Sequence, residues 1–298
     1  MPDYHIGTLD EEGRAALSGE EVQPDPSATP SATFLDPRAW KKCILHSKST
    51  VSWDTRVFTF KLEHETQTLG LPTGQHLMIR LRDPVTREAI IRSYTPISQT
   101  NKPGFVEILV KIYFDTKERA GGKMSQAMDS LPLGHFIDIK GPIGKFEYLG
   151  HGHCSVQGSS APRHVKHFVM ICGGSGITPI YQVFRAIMQD RSDTTKCTLL
   201  DGNRLVEDIL CKEDLDRFAR DNEDKCKLLY TLTQAPEVWD GLRGRIAAPL
   251  LAEYASKAVL GTGEGEAMVL ICGPEALEKN VHGALKEQGW TDDELLFF

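Results

Sequence analysis

The sequence has no excess of positive charge, no CxxC pair and no long apolar run, and each absence removes a class of function. With a net charge of −7 there is no basic surplus to meet a phosphate backbone, so nucleic acid is not an expected partner. A basic or neutral redox partner remains open. No apolar stretch approaches the roughly 20 residues that span a bilayer, so no membrane partner is expected. The opening residues, MPDYHIGTLDEEGR, lack the charged-then-apolar pattern of a secretion signal. Seven cysteines, an odd number without CxxC spacing, point to free thiols in a reducing, cytoplasmic compartment rather than to a disulfide framework.

What is present is the composition of a soluble globular protein: 40% apolar and 25% charged residues over 298 positions, room for two domains. Residues 1–37, with VQPDPSATPSATFLDP near their end, hold too little apolar surface to offset the entropy of ordering and read as a flexible tether. Residues 38–150 change to short β-like runs punctuated by Gly and Pro, among them TRVFTFKLE, HLMIRLR and FVEILVKIYF. That spacing predicts an antiparallel barrel or sandwich, with one helix, GGKMSQAMDSL, inside it. Residues 151–164, HGHCSVQGSSAPRH, read as an interdomain loop. Their histidines match no standard zinc spacing, so an exposed loop and no metal site is the expectation. Residues 165–298 alternate apolar strands with helices, the pattern of a parallel sheet covered on both faces. There is no internal repeat.

Three short stretches carry chemistry. In AIIRSYTPIS, Arg92 and Tyr94 are two apart and share one face of a strand, which Pro96 then ends. A cation beside an aromatic ring suits a ligand with an anionic part and a flat part. In VMICGGSGITPIYQVF, a buried strand ends at Cys172, and Gly173, Gly174 and Gly176 surround Ser175. Thr178 is placed to cap the helix that follows, with Pro179 in its first turn. Glycines let a backbone approach a phosphate, and a helix N-terminus offers free N–H groups; a tight turn without ligand is the alternative. VLICGPEAL repeats the layout with Cys272, Gly273 and Pro274. In an open α/β sheet such turns face a ligand beyond the strand ends, and the two together could enclose one dinucleotide. Cys272 then either borders a reactive ring or fills a gap in the core.

With both halves in view, the chain resembles the ferredoxin–NADP reductase superfamily. The likeness is closest to its cytochrome b5 reductase branch, and there to the flavin module of eukaryotic, fungal-type assimilatory nitrate reductase. RSYTPIS, VEILVKIYF, GGKMSQAMDSLPLGHFIDIKGPIGKFEY, GGSGITPIYQVFRAIM, GNRLVEDIL and CGPEAL occur in the family's order over about residues 38–298. MPDYHIGTLD also looks like the segment that joins the haem and flavin modules of that family. The resemblance implies a six-stranded antiparallel FAD-binding barrel followed by a Rossmann-like parallel-sheet domain for NADH or NADPH. It places Arg92 on the FAD pyrophosphate, Tyr94 along the ribityl and ring portion, and Thr95 near the hydride-accepting N5, with Ser93 between them. Val110, Lys111, Ile112 and Tyr113 become the strand beside the flavin. Gly122, Lys123, Met124 and Ser125 become a pyrophosphate-binding helix start, and Ser175 and Thr178 lie near the FAD adenine end. The family often has an aromatic residue or a proline ahead of the double glycine; here the loop is the charged DTKERA.

For the nucleotide, the resemblance assigns Gly173, Gly174, Gly176, Cys272, Gly273 and Pro274. Asp208 matches a carboxylate tied to NADH preference, because it would repel a 2′-phosphate, while Arg204 nearby could pair with one. The choice between NADH and NADPH stays open. The implied reaction moves a hydride from NAD(P)H to FAD and then single electrons to a b-type haem, on a cytochrome b5-like domain or protein. Thr95, Cys272 and Lys111 are the expected catalytic positions, Lys111 either stabilising reduced flavin or standing as an exposed strand lysine. Nitrate reduction itself needs molybdenum and haem domains that do not fit in this chain, and any homodimer would form through such domains. A stand-alone cytochrome b5 reductase, or a flavin or nucleotide sensor without turnover, are the other readings.

Overall fold

The computed structural model describes residues 33–83, 86–159, 161–263 and 265–298. They fall into two compact units. The first contains the described residues through Leu71 together with Leu77–Pro142, and the second Pro72–His76 with Ile143–Phe298. Among the described residues no helix is long and apolar enough to cross a membrane.

The first unit is an antiparallel sheet of six strands: β1 (Lys41–Ser52), β2 (Thr55–Lys61), β3 (His76–Arg82), β4 (Ala89–Tyr94), β5 (Phe105–Lys111) and β6 (Phe136–Ile143). Their spatial order is β4-β3-β6-β1-β2-β5. The edges are bridged just past β4, where the Ile97 N–H donates to the Glu107 carbonyl at 2.9 Å. Period-two alternation drives one set of side chains inward, including Phe58 and Phe60 on β2, Leu77 and Ile79 on β3, and Ile137 and Ile139 on β6. Each such burial is worth about 2 kcal/mol. Helix α1 (Lys123–Ser130) closes the core with Met124 and Met128 and packs against β4.

The N-terminal tether lies outside the described residues as far as 32. From there the chain is seated before residue 37. Phe34 and Leu35 are buried in the barrel core, and their N–H groups donate to the carbonyls of Thr68 and Leu69. Two apolar side chains in a polar stretch were enough to anchor it.

The second unit opens with β7 (Phe146–Gly150), β8 (His153–Val156) and β9 (Arg163–His164), a small antiparallel sheet. Residues 151–164 thus carry two short strands where a loop was expected. Gly152 and Gly158, both at positive φ, serve the turns between them.

Next come β10 (His167–Gly173), α2 (Ile177–Gln189), β11 (Lys196–Asn203), α3 (Lys212–Asp221), β12 (Cys226–Leu232), β13 (Leu242–Arg243), α4 (Ala248–Tyr254), α5 (Lys257–Leu260), β14 (Ala267–Cys272), α6 (Glu275–Glu287) and β15 (Leu295–Phe297). The strands form one parallel sheet in the order β13-β12-β11-β10-β14-β15. Every residue of β10 is buried, as helices on both faces require. Helix α2 lies against β10 and β14 on one face. On the other, Val169, Ile171 and Val269 pack with Leu251, Val281, Leu285 and Trp290.

Candidate active site

In the first unit the expected flavin residues gather around β4 and the start of α1. Arg92 and Tyr94 share the face that buries Ile90, as their spacing predicted, and Ser93 is exposed on the other. The Arg92 guanidinium is exposed and donates to its own neighbour's carbonyl, that of Ile91, at 2.7 Å. Burial pushes the Tyr94 phenol up to about 12, and the Tyr113 phenol stands within electrostatic reach of it. Thr95 is buried.

Two glycines let α1 begin where it does. A Cβ on Gly121 would overlap the Tyr113 carbonyl oxygen and stand 2.8 Å from the Asp115 nitrogen; one on Gly122 would stand 2.7 Å from the Ser125 Oγ. The turn is stapled to the end of β5. The Gly122 N–H donates to the Tyr113 carbonyl (2.8 Å), the Tyr113 N–H to Ser125 Oγ (3.1 Å), and that hydroxyl to the Gly122 carbonyl (3.0 Å). No side chain caps this helix start, no acid stands in its first turn, and Lys123 is exposed there. An uncapped helix start with an exposed lysine in its first turn is suited to an anion.

Val110 and Ile112 are buried, and Tyr113 is 43% exposed. Lys111 is neither an exposed strand lysine nor a free cation. Its Nζ pairs with Asp54 at 2.8 Å, and the carboxylate also accepts from the Ser52 and Thr55 hydroxyls. Burial alone would raise the Asp54 carboxyl, but Lys111 and the two hydroxyls hold it below the usual carboxylate range. Asp54 escaped sequence reading because a hairpin-turn acid carries no signal of its distant partner. Lys111→Met should destabilise the protein by about 3 kcal/mol at pH 7, because it strands a buried carboxylate. The loss should shrink as pH falls through the Asp54 pKa and the stranded acid takes a proton; urea unfolding at pH 7 and pH 4 measures it.

In the second unit the two glycine turns meet. β10 runs into a 3-10 turn, Gly174–Gly176, and then into α2. A Cβ on Gly176 would overlap the Cys272 carbonyl oxygen and stand 2.9 Å from Gly273 Cα. One on Gly173 would stand 2.9 Å from Leu277 and 3.5 Å from Pro274. The ends of β10 and β14 therefore touch backbone to backbone. Gly174 has φ +56 with open space beside it, the conformation that favours glycine. Thr178 does not cap α2. The helix starts after Gly176 without a side-chain cap, and the Thr178 hydroxyl donates back to the Ser175 carbonyl at 3.3 Å. Cys272 is half-buried, and burial pushes its thiol up to about 12, so it is a neutral thiol and not a thiolate.

Just past the end of β11, Arg204 is exposed and donates to Gln234 at 3.4 Å. Asp208 closes a 3-10 turn, Val206–Asp208, by accepting from the Leu205 N–H at 3.2 Å.

The oxidoreductase FAD-binding domain family matches residues 42–148, and the oxidoreductase NAD-binding domain family residues 170–283. The crystal structure of the cytochrome b5 reductase domain of Ulva prolifera nitrate reductase superposes with a TM-score of 0.82 at 34% identity, covering 89% of this chain and 100% of that one. The chain belongs to the cytochrome b5 reductase domains of nitrate reductases. Nitrate reductase [NADPH] of Leptosphaeria maculans is 60% identical over 300 residues, and that of Aspergillus niger 55% over 298. Both matches cover 100% of this chain and 33% of the relative, so the chain spans about a third of the length of these curated relatives. This reductase domain is thus an NAD(P)H-dependent oxidoreductase with an FAD-binding and an NAD-binding half.

The residues present fit both groups: an uncapped start on a helix that packs against β4, the strand of Arg92, in one half, and two touching glycine turns at the carboxyl edge of a parallel sheet in the other. The histidine stretch has other employment. His153 and His164 lie ring to ring at 4.7 Å, His151 faces Asp190, and His167 is buried against Thr198. All seven cysteines are free.

Two polar residues of β11 that carried no expectation sit next to the first glycine turn, the one that follows β10. Asp201 and Asn203 are buried in an otherwise apolar strand, CTLLDGN. An acid inside an apolar run was the available signal.

Proposed function

We propose that this domain takes a hydride from NADPH onto FAD and hands electrons singly to a b-type haem, as the reductase module of an assimilatory nitrate reductase in the cytoplasm. The working division is 38–150 for the flavin, 165–298 for the nucleotide, 151–164 between them and 1–37 as a tether. What supports the reading most is the backbone junction of Gly176 with Cys272 and Gly273. It brings the two glycine turns into backbone contact at the carboxyl ends of β10 and β14.

When bound, FAD supplies a two-electron acceptor that gives electrons up one at a time. The chain binds and orients. Arg92, Lys123 and the N–H groups of α1 hold the flavin pyrophosphate, and Tyr94 and Tyr113 flank its flat portion. Ser93, Thr95, Val110, Ile112, Gly122, Met124 and Ser125 complete that seat. Lys111 is held at the end of β5 by its pair with Asp54, so its stem lines the seat while its charge is balanced. Gly173, Gly174 and Gly176 receive the nucleotide phosphates, and Cys272, Gly273 and Pro274 border the nicotinamide with a neutral, polarizable wall.

NADPH is favoured over NADH because the Asp208 carboxylate accepts from the Leu205 N–H of its own turn while the Arg204 guanidinium, four residues earlier, is exposed. Anaerobic mixing of the flavin-loaded domain with each nucleotide tests this. NADPH should bleach the flavin, and Arg204→Ala should lower kcat/KM for NADPH at least tenfold while changing that for NADH less than twofold. A domain that is not reduced by either nucleotide would end the proposal.

A further inference from the structure

In parallel strands, residues in register point to the same face, so register lays side chains out in rows across the sheet. One such row crosses the carboxyl end of the second unit: Tyr230 on β12 is in register with Asp201 on β11, Asp201 with Cys172 on β10, and Cys172 with Cys272 on β14. Asp201 is fully buried in it. The Cys172 thiol donates to its Oδ1 at 3.4 Å, and its Oδ2 has no hydrogen-bond partner. Asn203, next along the same face of β11, supports the carboxyl without closing a hydrogen bond with either amide atom. A buried, half-satisfied acid is costly. This one stands two strands, about 10 Å, from Cys272.

We propose that Asp201 makes nucleotide binding sensitive to the redox state of the nicotinamide: once ionised, it strengthens the hold on the cationic oxidised ring over the neutral reduced ring. The inference rests on the nicotinamide lying beside Cys272. A unit charge about 10 Å away, at an effective dielectric near 20, shifts the preference about tenfold.

Burial pushes the Asp201 carboxyl up to about 7, against the opposing pull of Cys172 and Asn203. The groups that face it stay neutral around that pH: the thiols of Cys172 and Cys211 and the phenol of Tyr230 are all raised, Cys211 to about 12. Beyond them, Arg185 and Tyr181 lie on α2, with Tyr181 donating to Asp214. On α3, Asp216 accepts from Tyr230 and pairs with Lys212.

The test uses the flavin-loaded protein and two probes, NADP+ and the redox-inert tetrahydro-NADPH, whose ring is neutral. Dissociation constants are measured by calorimetry from pH 5.5 to 8.5. The ratio of the tetrahydro-NADPH constant to the NADP+ constant cancels the titration of the 2′-phosphate, which both probes carry. It should rise about tenfold through pH 7 in the native protein and stay flat in Asp201→Asn. Asp201→Thr serves as the neutral comparison if the Asn variant does not fold. A flat ratio in the native protein, or an unchanged rise in the neutral variant, overturns the inference while the nucleotide site stands. Failure of the native protein to bind either probe overturns both.

Discussion

Gly176→Ala should lower kcat/KM for NADPH by about a hundredfold while the flavin spectrum is kept. The new Cβ would stand 2.6 Å from the Cys272 carbonyl carbon and 2.9 Å from Gly273 Cα, so one of the two turns must move. Neither neighbour is the flexible end of a side chain. Backbone displacement of about 1 Å at a hydride-transfer site costs about two powers of ten. Overpacking of this kind also lowers stability by about 1–3 kcal/mol. The barrel core, with Phe58, Phe60 and Ile79, belongs to the other unit, so the flavin seat is expected to survive. Stopped-flow flavin reduction reads the effect. A rate constant and KM within threefold of the native values would show that the two turns are not the nucleotide's floor.

The second large effect is one of stability, and it has a sign that depends on pH. Asp201 has a folded-state pKa near 7, above the 3.8 of a free carboxyl. The folded protein therefore holds a proton that the unfolded chain has already released, and stability is lost as pH rises from about 4 to 7. Asp201→Asn removes that loss. At pH 8 the variant should be more stable than the native protein by about 2–4 kcal/mol, and at pH 4 nearly equal to it. His167, buried and with its imidazole pushed down to about 4, pulls the other way, since it costs stability as pH falls below its unfolded value. It does so equally in both proteins and drops out of the difference. Thermal melts of both at several pH values give the curve; a difference that does not grow with pH would mean the carboxyl ionises freely.

The same substitution thus stabilises the fold and, by the inference above, removes a pH response in nucleotide binding. Charged groups buried at a cost beside a ligand site are where function outweighs stability. Asp201 fits that pattern more closely than the family-assigned Asp208, whose carboxylate is occupied by the Leu205 N–H.

Much of this was legible from neighbours in the chain. Arg92 and Tyr94 share a face because strand side chains alternate with period two, which needs no knowledge of the rest of the fold. The glycine turns after β10 and β14 were visible for the same reason: backbone freedom belongs to the residue itself. Thr178 does not cap because capping depends on where a helix begins, and the short turn through Gly176 puts that start ahead of it. Phe34 and Leu35 are buried within a stretch of tether-like composition, because composition averages over a window whereas burial is decided side chain by side chain.

Sequence by itself determined the two-part plan: alternating strands with a helix, then strands and helices in turn, with the two glycine turns and the Arg92–Tyr94 pair in place. The tertiary structure alone decided which distant residues became neighbours: Lys111 with Asp54, Gly176 with Cys272, and Asp201 with Cys172. The reason is that register and burial are properties of strands once paired. No spacing along a single strand states which partner will lie beside it.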